Sequence, residues 1–417
     1  MDQKFQRDSL ACIIGNILEL YDFTVFAFFA PFISQLFFPA QEPLTGLIKT
    51  FSIFAVGYFM RPIGGIIFGQ IGDRFGRKKA LTISILMMAI PTFLIGCLPT
   101  FKQIGLWAAI ILLLLRILQG IASGGELAGS MTYLVERSPP NRRGFYGSFA
   151  TASSIAGILL GSLVGTIIIK TIAPSALSYW GWRLPFWSGI ILGVVGWWIR
   201  SYLTESFFFN EAIRNKKLYR FPMLVAIQKF WRRILQVMAM NTIVATSFYV
   251  LFVWMPTYLQ KILSQPIPDA LMINTAVMLI LIGLIPLAGL LSDYIGRKKV
   301  ALIGIFSLII TIYPLFILLA HANQLTLFFI QIIFAFSLCL LEGIIPATAA
   351  ELFPISTRYS SLAIAFNVTT SFFGGTAPLI STFLIYKTGN LAAPAIYLIV
   401  LAIISLPAYF FLFKGKN

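Results

Sequence analysis

One loop signature occurs twice in this chain, as Gly69-Gln-Ile-Gly72-Asp73-Arg74-Phe-Gly76-Arg77-Lys78-Lys79 and as Gly289-Leu-Leu-Ser292-Asp293-Tyr-Ile-Gly296-Arg297-Lys298-Lys299, each time directly between two apolar stretches. A second pair follows at nearly the same offset. Glu136 precedes Arg143 by seven residues and Glu351 precedes Arg358 by seven, so the two motifs repeat after 220 and 215 residues. A near-constant offset means a parallel duplication, with halves related by an axis along the membrane normal. The repeat predicts two bundles, residues 1–206 and 232–417, joined by a linker at 207–231.

What lies between the motifs sets the solvent. Apolar residues make up 59% of the chain and charged residues 11%, against about 25% charged in a typical soluble domain. Stretches of the roughly 20 residues needed to cross a hydrocarbon core of about 30 Å recur at 9–37, 45–70, 80–99, 104–135, 145–170, 185–206, 233–262, 270–292, 300–320, 325–352, 359–386 and 390–413. The expectation is an all-α membrane protein of twelve transmembrane helices in two pseudo-symmetric six-helix bundles.

The formal charge of +17 would suit a nucleic-acid binder, but its distribution excludes that reading. Of 31 Lys and Arg, 23 fall at the two ends and in the loops after even-numbered spans; the opposite loops hold six, Lys49, Lys102, Lys170, Arg183, Lys261 and Lys387. Positive residues stay on the cytoplasmic side, which puts both termini in the cytoplasm of a multi-pass inner-membrane protein. Only Arg61 and Arg116 then remain inside spans. The basic stretch with Arg214, Lys216, Lys217, Arg220 and Lys229 reads as a linker lying on the membrane surface. The N-terminus leads into a span of nearly thirty residues carrying Glu19 and Asp22, unlike a cleaved signal peptide. Cys12, Cys97 and Cys339 lack metal or disulfide spacing and read as packing residues. No nucleophile, metal or phosphate-binding motif appears, so no enzyme, metal or cofactor is expected.

The repeated motifs read as gates. Glycine permits a tight hairpin, the basic run holds it in the cytoplasm, and the acid requires a partner. In each half a helix begins just after the Glu-x6-Arg motif, and a helix start carries about half a positive charge. Asp73 is therefore expected to dock at the helix start beside Arg358, and Asp293 at the one beside Arg143, with Glu136 and Glu351 completing each cluster. Such a latch would close the cytoplasmic side and release it as the bundles rock.

An ionisable group near the bilayer centre costs about 2.5–3.5 kcal/mol. Those present are Glu19, Asp22, Arg61, Arg116, Glu126 and, alone in the second half, Glu342. On span four, Arg116, Gln119, Ser123, Glu126, Ser130 and Tyr133 fall within about 100° at 100° per residue, a polar stripe suited to a wet cavity. Asp22 and Arg116 lie at similar depth and can pair. Four acids against two bases leave at least one acid protonated in some state, which points to proton coupling. Asn241, Tyr249 and Asn367 are candidates for solute contact, Gly157, Gly161 and Gly165 for close helix packing, and Phe26, Phe28 and Phe29 for lipid contact. His321 reads as interfacial.

These residues resemble the major facilitator superfamily, and within it the metabolite:proton symporter family. The family likeness rests on Gly15-Asn-Ile-Leu-Glu19-Leu-Tyr21-Asp22-Phe23, Arg61-Pro62-Ile-Gly64-Gly65, Gln119-Gly-Ile-Ala-Ser-Gly124-Gly125-Glu126, Glu136-x5-Arg142-Arg143-Gly144 and Glu351-Leu-Phe-Pro354-x3-Arg358-Tyr359-Ser360. Members import small organic solutes with protons, among them proline and betaine, shikimate, 2-oxoglutarate and citrate, and 353–367 is most similar to the proline/betaine members. The resemblance implies coupling and solute roles for Glu19, Tyr21, Asp22, Arg116, Gln119 and Glu126, and gating roles for Asp73, Arg77, Glu136, Arg143, Asp293, Arg297, Glu351 and Arg358. Glu342 departs from the family pattern. Its charge suggests a zwitterion with its carboxylate on Arg116 and its ammonium near Glu342 or Glu19. The long C-terminal coiled coil of some osmosensing members is absent from this sequence, so osmotic activation is not expected. The expected partners are a small solute, protons and lipid, with the chain acting as a monomer. Two alternatives remain open: a proton-linked exporter of cationic or amphipathic compounds, and a transporter-like sensor that binds without turnover.

Overall fold

In hydrocarbon each backbone N–H and C=O must be bonded within its own segment, and among the described residues the regular structure is helical throughout. The computed structural model describes residues 3–39, 43–201, 205, 209, 211, 214, 219–259, 263 and 270–412. Among the described residues twelve long helices follow one another: α1 Gln3–Phe28, α2 Pro43–Phe75, α3 Arg77–Cys97, α4 Leu106–Arg137, α5 Arg143–Thr171, α6 Leu184–Ser201, α7 Pro222–Phe248, α8 Ala270–Ile295, α9 Arg297–Leu319, α10 Gln324–Glu351, α11 Arg358–Thr369 and α12 Ala393–Phe410. Eleven spans meet the length and apolarity of a membrane crossing; the expected sixth is α6, whose last turn carries Arg200.

Two expected elements differ in outline. The first span breaks at Phe29 into α1 and the short helix Ala30–Phe37, with Pro31 in its first turn. Residues 222–231, read from their charge as linker, form the opening turns of α7, where Pro222 suits the first helical position. Lys216, Lys217 and Lys261 lie outside the described residues. Two helices continue through π turns, α7 by Tyr249–Trp254 and α11 by Thr370–Gly374, the latter leading into Ala377–Thr388. Such widened turns collect at functional sites.

The chain divides into two compact units. One comprises residues 1–133, 153–224 and 355–363; the other comprises 134–152, 225–354 and 364–417. Each therefore keeps a short stretch from the opposite half of the sequence. In the first unit α6 packs along α3 and α1, and α5 lies close on α1 through its glycines: a Cβ at Gly161 would stand 2.9 Å from Thr24 Oγ1, and one at Gly165 3.4 Å from Phe28 Cβ. The four-residue spacing thus follows one groove of α1. In the second unit α10 packs between α8 and α9, and α9 against α12.

Phe26 and Phe29 are fully buried and belong to the apolar core of the first unit, with Phe28 partly buried against it. The expected lipid contact is therefore corrected. Span one carries its phenylalanines on the same side as its acids, and α2, α5 and α6 cover that side. Among the cysteines, Cys12 and Cys339 are buried and Cys97 is exposed, all three free. His321 is exposed just after α9.

Candidate functional site

Gly76 and Gly296 turn the two repeated hairpins with φ of 109° and 95°, values natural only to glycine. The turn fixes where the acid four residues after Gly69 or Gly289 points. In the first unit Asp73 is fully buried; its Oδ1 accepts from the Tyr359 N–H at 3.2 Å and its Oδ2 from the Ser360 N–H at 2.8 Å. Arg77 lies 3.2 Å from Asp73 and donates to the carbonyls of Gly72 (2.9 Å) and Ile355 (2.7 Å). In the second unit Asp293 accepts from Gly144 N–H at 2.8 Å and Phe145 N–H at 2.9 Å. Glu351 there takes a bond from Arg297 and sits 3.5 Å from Arg143. Each acid thus occupies the start of the helix after the Glu-x6-Arg motif of the opposite sequence half, where free N–H groups and the helix dipole both favour an anion. Glu136 is buried near the end of α4, and Arg358 opens α11 partly buried.

The α4 stripe turns inward as its spacing predicts. Arg116, Gln119, Ser123, Glu126, Ser130 and Tyr133 are all buried, while Leu114 and Leu118 on the other side are exposed. Arg116 does not pair with Asp22. Its Nη1 donates to Gln119 Oε1 at 2.7 Å and to the Phe23 carbonyl at 3.3 Å, and its guanidinium lies 4.6, 4.5 and 5.1 Å from the ring centres of Phe23, Phe26 and Phe54. Nε and Nη2 are buried without a hydrogen-bond partner. Asp22 instead faces α6, where a Cβ on Gly189 would stand 3.2 Å from its Oδ1. Equal depth brought the two residues level, but the rings of α1 and α2 enclose the cation first. Gln119 is fixed from both ends, its Nε2 donating to Thr92 Oγ1 at 2.7 Å.

Glu126 meets a partner that sequence reading missed. Arg200, at the end of α6, is fully buried and forms a salt bridge with Glu126 Oε1; Oε2 accepts from Ser84 Oγ at 2.6 Å and from Arg200 Nη1 at 3.1 Å. Arg200 also donates to the Leu81 carbonyl. The count of two buried bases therefore becomes three. A cation in the last turn of a span, next to a basic loop, carries the same signature as a topology signal. Only the packing of α1, α3 and α4 around it reveals the difference. Glu19, on the neighbouring face of α1, is fully buried with neither carboxylate oxygen hydrogen-bonded.

The remaining candidates are more distributed. Tyr21 is spent on helix packing, its hydroxyl 3.0 Å from Ser188 Oγ and 3.3 Å from the Pro185 carbonyl of α6. Arg61 lies near the rings of Phe23 (5.8 Å) and Tyr58 (5.6 Å). In the second unit Asn241 Nδ2 donates to Thr369 Oγ1 at 2.5 Å, joining α7, two turns before its π turn, to the last residue of α11. Tyr249 opens the first of those turns, Asn367 is buried one turn before the second, and Glu342 is buried mid-way along α10.

Twelve long helices among the described residues, buried charges on several of them and two acid-capped helix starts are the architecture of a multi-pass membrane transporter. Residues 9–220 match the family model described as "Sugar (and other) transporter", and residues 237–416 match that of the Major Facilitator Superfamily. The chain belongs to the major facilitator superfamily. It is 36% identical to a putative proline/betaine transporter of Staphylococcus aureus (strain COL), over 96% of this chain and 87% of that one. It is 34% identical to the proline/betaine transporter of Escherichia coli (strain K12), over 97% and 83%. With the glycine betaine/proline/ectoine/pipecolic acid transporter OusA of Dickeya dadantii it shares 34% over 100% and 85%. The fold is that of the proton:xylose symporter XylE, with a TM-score of 0.81 at 18% identity over 99% of this chain and 96% of that structure.

Proposed function

We propose that this transporter imports a small zwitterion of the proline and betaine class together with protons, by alternating access. The observation that carries this reading is Arg116: a buried guanidinium, walled by three aromatic rings, with Nε and Nη2 left without partners. Burying a cation without a counter-ion is costly, and a solute carboxylate supplies that counter-ion with charge-assisted bonds. The names of the three relatives, all transporters of proline or betaine, support the same class. Proton coupling we assign to the acids Glu19, Asp22 and Glu126, with Arg116 linking their charge to solute arrival. Asp73 and Asp293 we assign to the cytoplasmic latch, with the two sequence halves, 1–206 and 232–417, rocking when it releases. We further assign the chain to the cytoplasmic membrane as a monomer, with both termini in the cytoplasm, in keeping with the alternation of basic loops.

The test is internal pH in dye-loaded proteoliposomes of checked orientation, challenged from outside with zwitterions, carboxylates and organic cations. Acidification by zwitterions, lost in Glu19→Gln, is the expected result. Alkalinisation by cations would replace import with export, and solute binding without proton movement would remove the coupling role.

Glu342, the acid that departs from the family pattern, we assign to selection for positive charge on the solute. Glu342→Gln run through the same panel should narrow the preference for zwitterions over plain carboxylates by about tenfold, the worth of one modest charge interaction of about 1.4 kcal/mol. An unchanged preference would sink the assignment.

A further inference from the structure

Resting on the proton-coupled reading above and dividing the roles within its group of acids, we propose that Arg200 is a positioning residue that holds Glu126 as a fixed anion and leaves Glu19 as the buried acid that exchanges protons. All of the groups concerned lie in the first unit.

The two acids differ in their bonding. Glu126 has both oxygens engaged, one by Arg200 Nη2 and the other by Ser84 Oγ and Arg200 Nη1. Protonating it would strand Arg200 as an unpaired charge in a site without water-facing surface, which costs more than the pair itself. Arg200 cannot swing away readily, since it is also tied to the Leu81 carbonyl of α3 and lies flat on α1: Gly15 is what makes room, because a Cβ there would run into the guanidinium. Gly15 is one turn before Glu19, so the same guanidinium borders both acids.

Glu19 has no such holder. Ser123 and Glu126 face it from α4, Arg61 from α2 and Arg200 from α6, with Asp22 a turn further along its own helix. Neither of its oxygens is in a hydrogen bond, that of Ser123 included. Cys12 and Tyr359 complete the surroundings of Arg200; the Tyr359 hydroxyl is occupied, donating to the Gly125 carbonyl at 2.6 Å. An ionised Glu19 would set a second negative charge beside the fixed one with only the Ser123 hydroxyl facing it and no cation bonded to it. It gains stability only when Arg61 or Arg200 approaches, which is the behaviour of a group whose proton comes and goes with conformation. The step is a bare transfer: Glu19 takes a proton from water on one side and returns it to water on the other.

The experiment compares wild type, Glu19→Gln, Arg200→Gln and the charge-neutral pair Glu126→Gln with Arg200→Gln, all reconstituted. Solute-driven acidification is measured beside solute counterflow, which needs no net proton movement. Glu19→Gln should lose acidification and keep counterflow. Arg200→Gln removes the cation that holds Glu126 and should shift the pH midpoint of uptake by about one unit. The double variant should still move protons, with an altered pH profile. An unshifted midpoint in Arg200→Gln, or a double variant that keeps counterflow but moves no protons, would overturn the proposal. Where the Arg200 variants do not fold, infrared titration decides: the reversible carboxylic-acid band of the wild type should lose one component in Glu19→Gln, and its persistence there at full intensity refutes the assignment. Wild type that moves no protons with any solute would instead refute the transport reading, leaving the infrared titration to judge Glu19 independently.

Discussion

Replacing Arg116 by methionine is expected to abolish solute uptake while leaving the fold at least as stable as before. The two effects share one cause. Arg116 is buried among Phe23, Phe26 and Phe54 with no carboxylate beside it, and an unpaired ion in such surroundings carries a desolvation penalty of several kcal/mol. Its bonds to Gln119 and to the Phe23 carbonyl, one of them long, return about 1.5 kcal/mol each and the ring contacts about 0.5–2 kcal/mol, an offset that methionine packed on the same rings replaces in part, so removal of the charge should leave melting temperature in detergent equal or higher. The solute, in contrast, loses a charge-assisted partner worth about 3 kcal/mol, or on the order of 100-fold in affinity. Radiolabelled uptake and thermal melting on the same preparation check both halves. Wild-type uptake in Arg116→Met would remove the residue from solute binding, and a collapse in stability would make it a structural element instead. Such an exchange of stability for activity is common at functional sites.

Asp73→Asn should open the cytoplasmic side, and Asp293→Asn should do so less. Asparagine keeps one acceptor oxygen but sets an NH2 group against a backbone N–H, so each variant loses one charge-assisted bond of about 1.5–3 kcal/mol and the attraction of the helix dipole, about 0.3–1 kcal/mol. Together these shift the open-to-closed ratio by roughly 10- to 1,000-fold. The difference between the two follows from burial. Both Asp73 and Arg77 are at 0% exposure, whereas Arg297 and Glu351 in the second cluster are 10% and 17% exposed, so water softens that loss. Cysteines placed in the cytoplasmic mouth should label faster in Asp73→Asn; unchanged labelling in both variants would leave these acids as folding and topology elements only.

Much of this molecule is legible from residue order because lipid leaves the backbone few choices. Twenty apolar residues must form a helix there, so all twelve spans could be counted and ordered from composition alone. The duplicated hairpins were equally readable. Asp73 and Asp293 sit at a fixed register before a positive-φ glycine, and a helix start is the nearest group able to satisfy a buried acid. The inward turn of the α4 stripe also follows from helical period, since Arg116 through Tyr133 share one side of a helix.

Partners across helices were not legible in the same way. Depth along the membrane placed Asp22 level with Arg116, but rotation of α1 about its own axis decides whether they meet, and that rotation is set by how Gly157, Gly161 and Gly165 let α5 approach. The same packing took Phe26 and Phe29 from the expected lipid surface into the core and used the Tyr21 hydroxyl to tie α1 to α6. Arg200 is the sharpest instance, because a cation at the end of a span reads as a loop charge until three other helices close around it. The sequence by itself determined the helices, their order and the acids that need partners, since these depend on local apolarity and helical period. Only the tertiary structure decided which charge meets which, because ion pairing depends on the azimuth of each helix, a quantity fixed by side-chain packing between segments far apart in the chain.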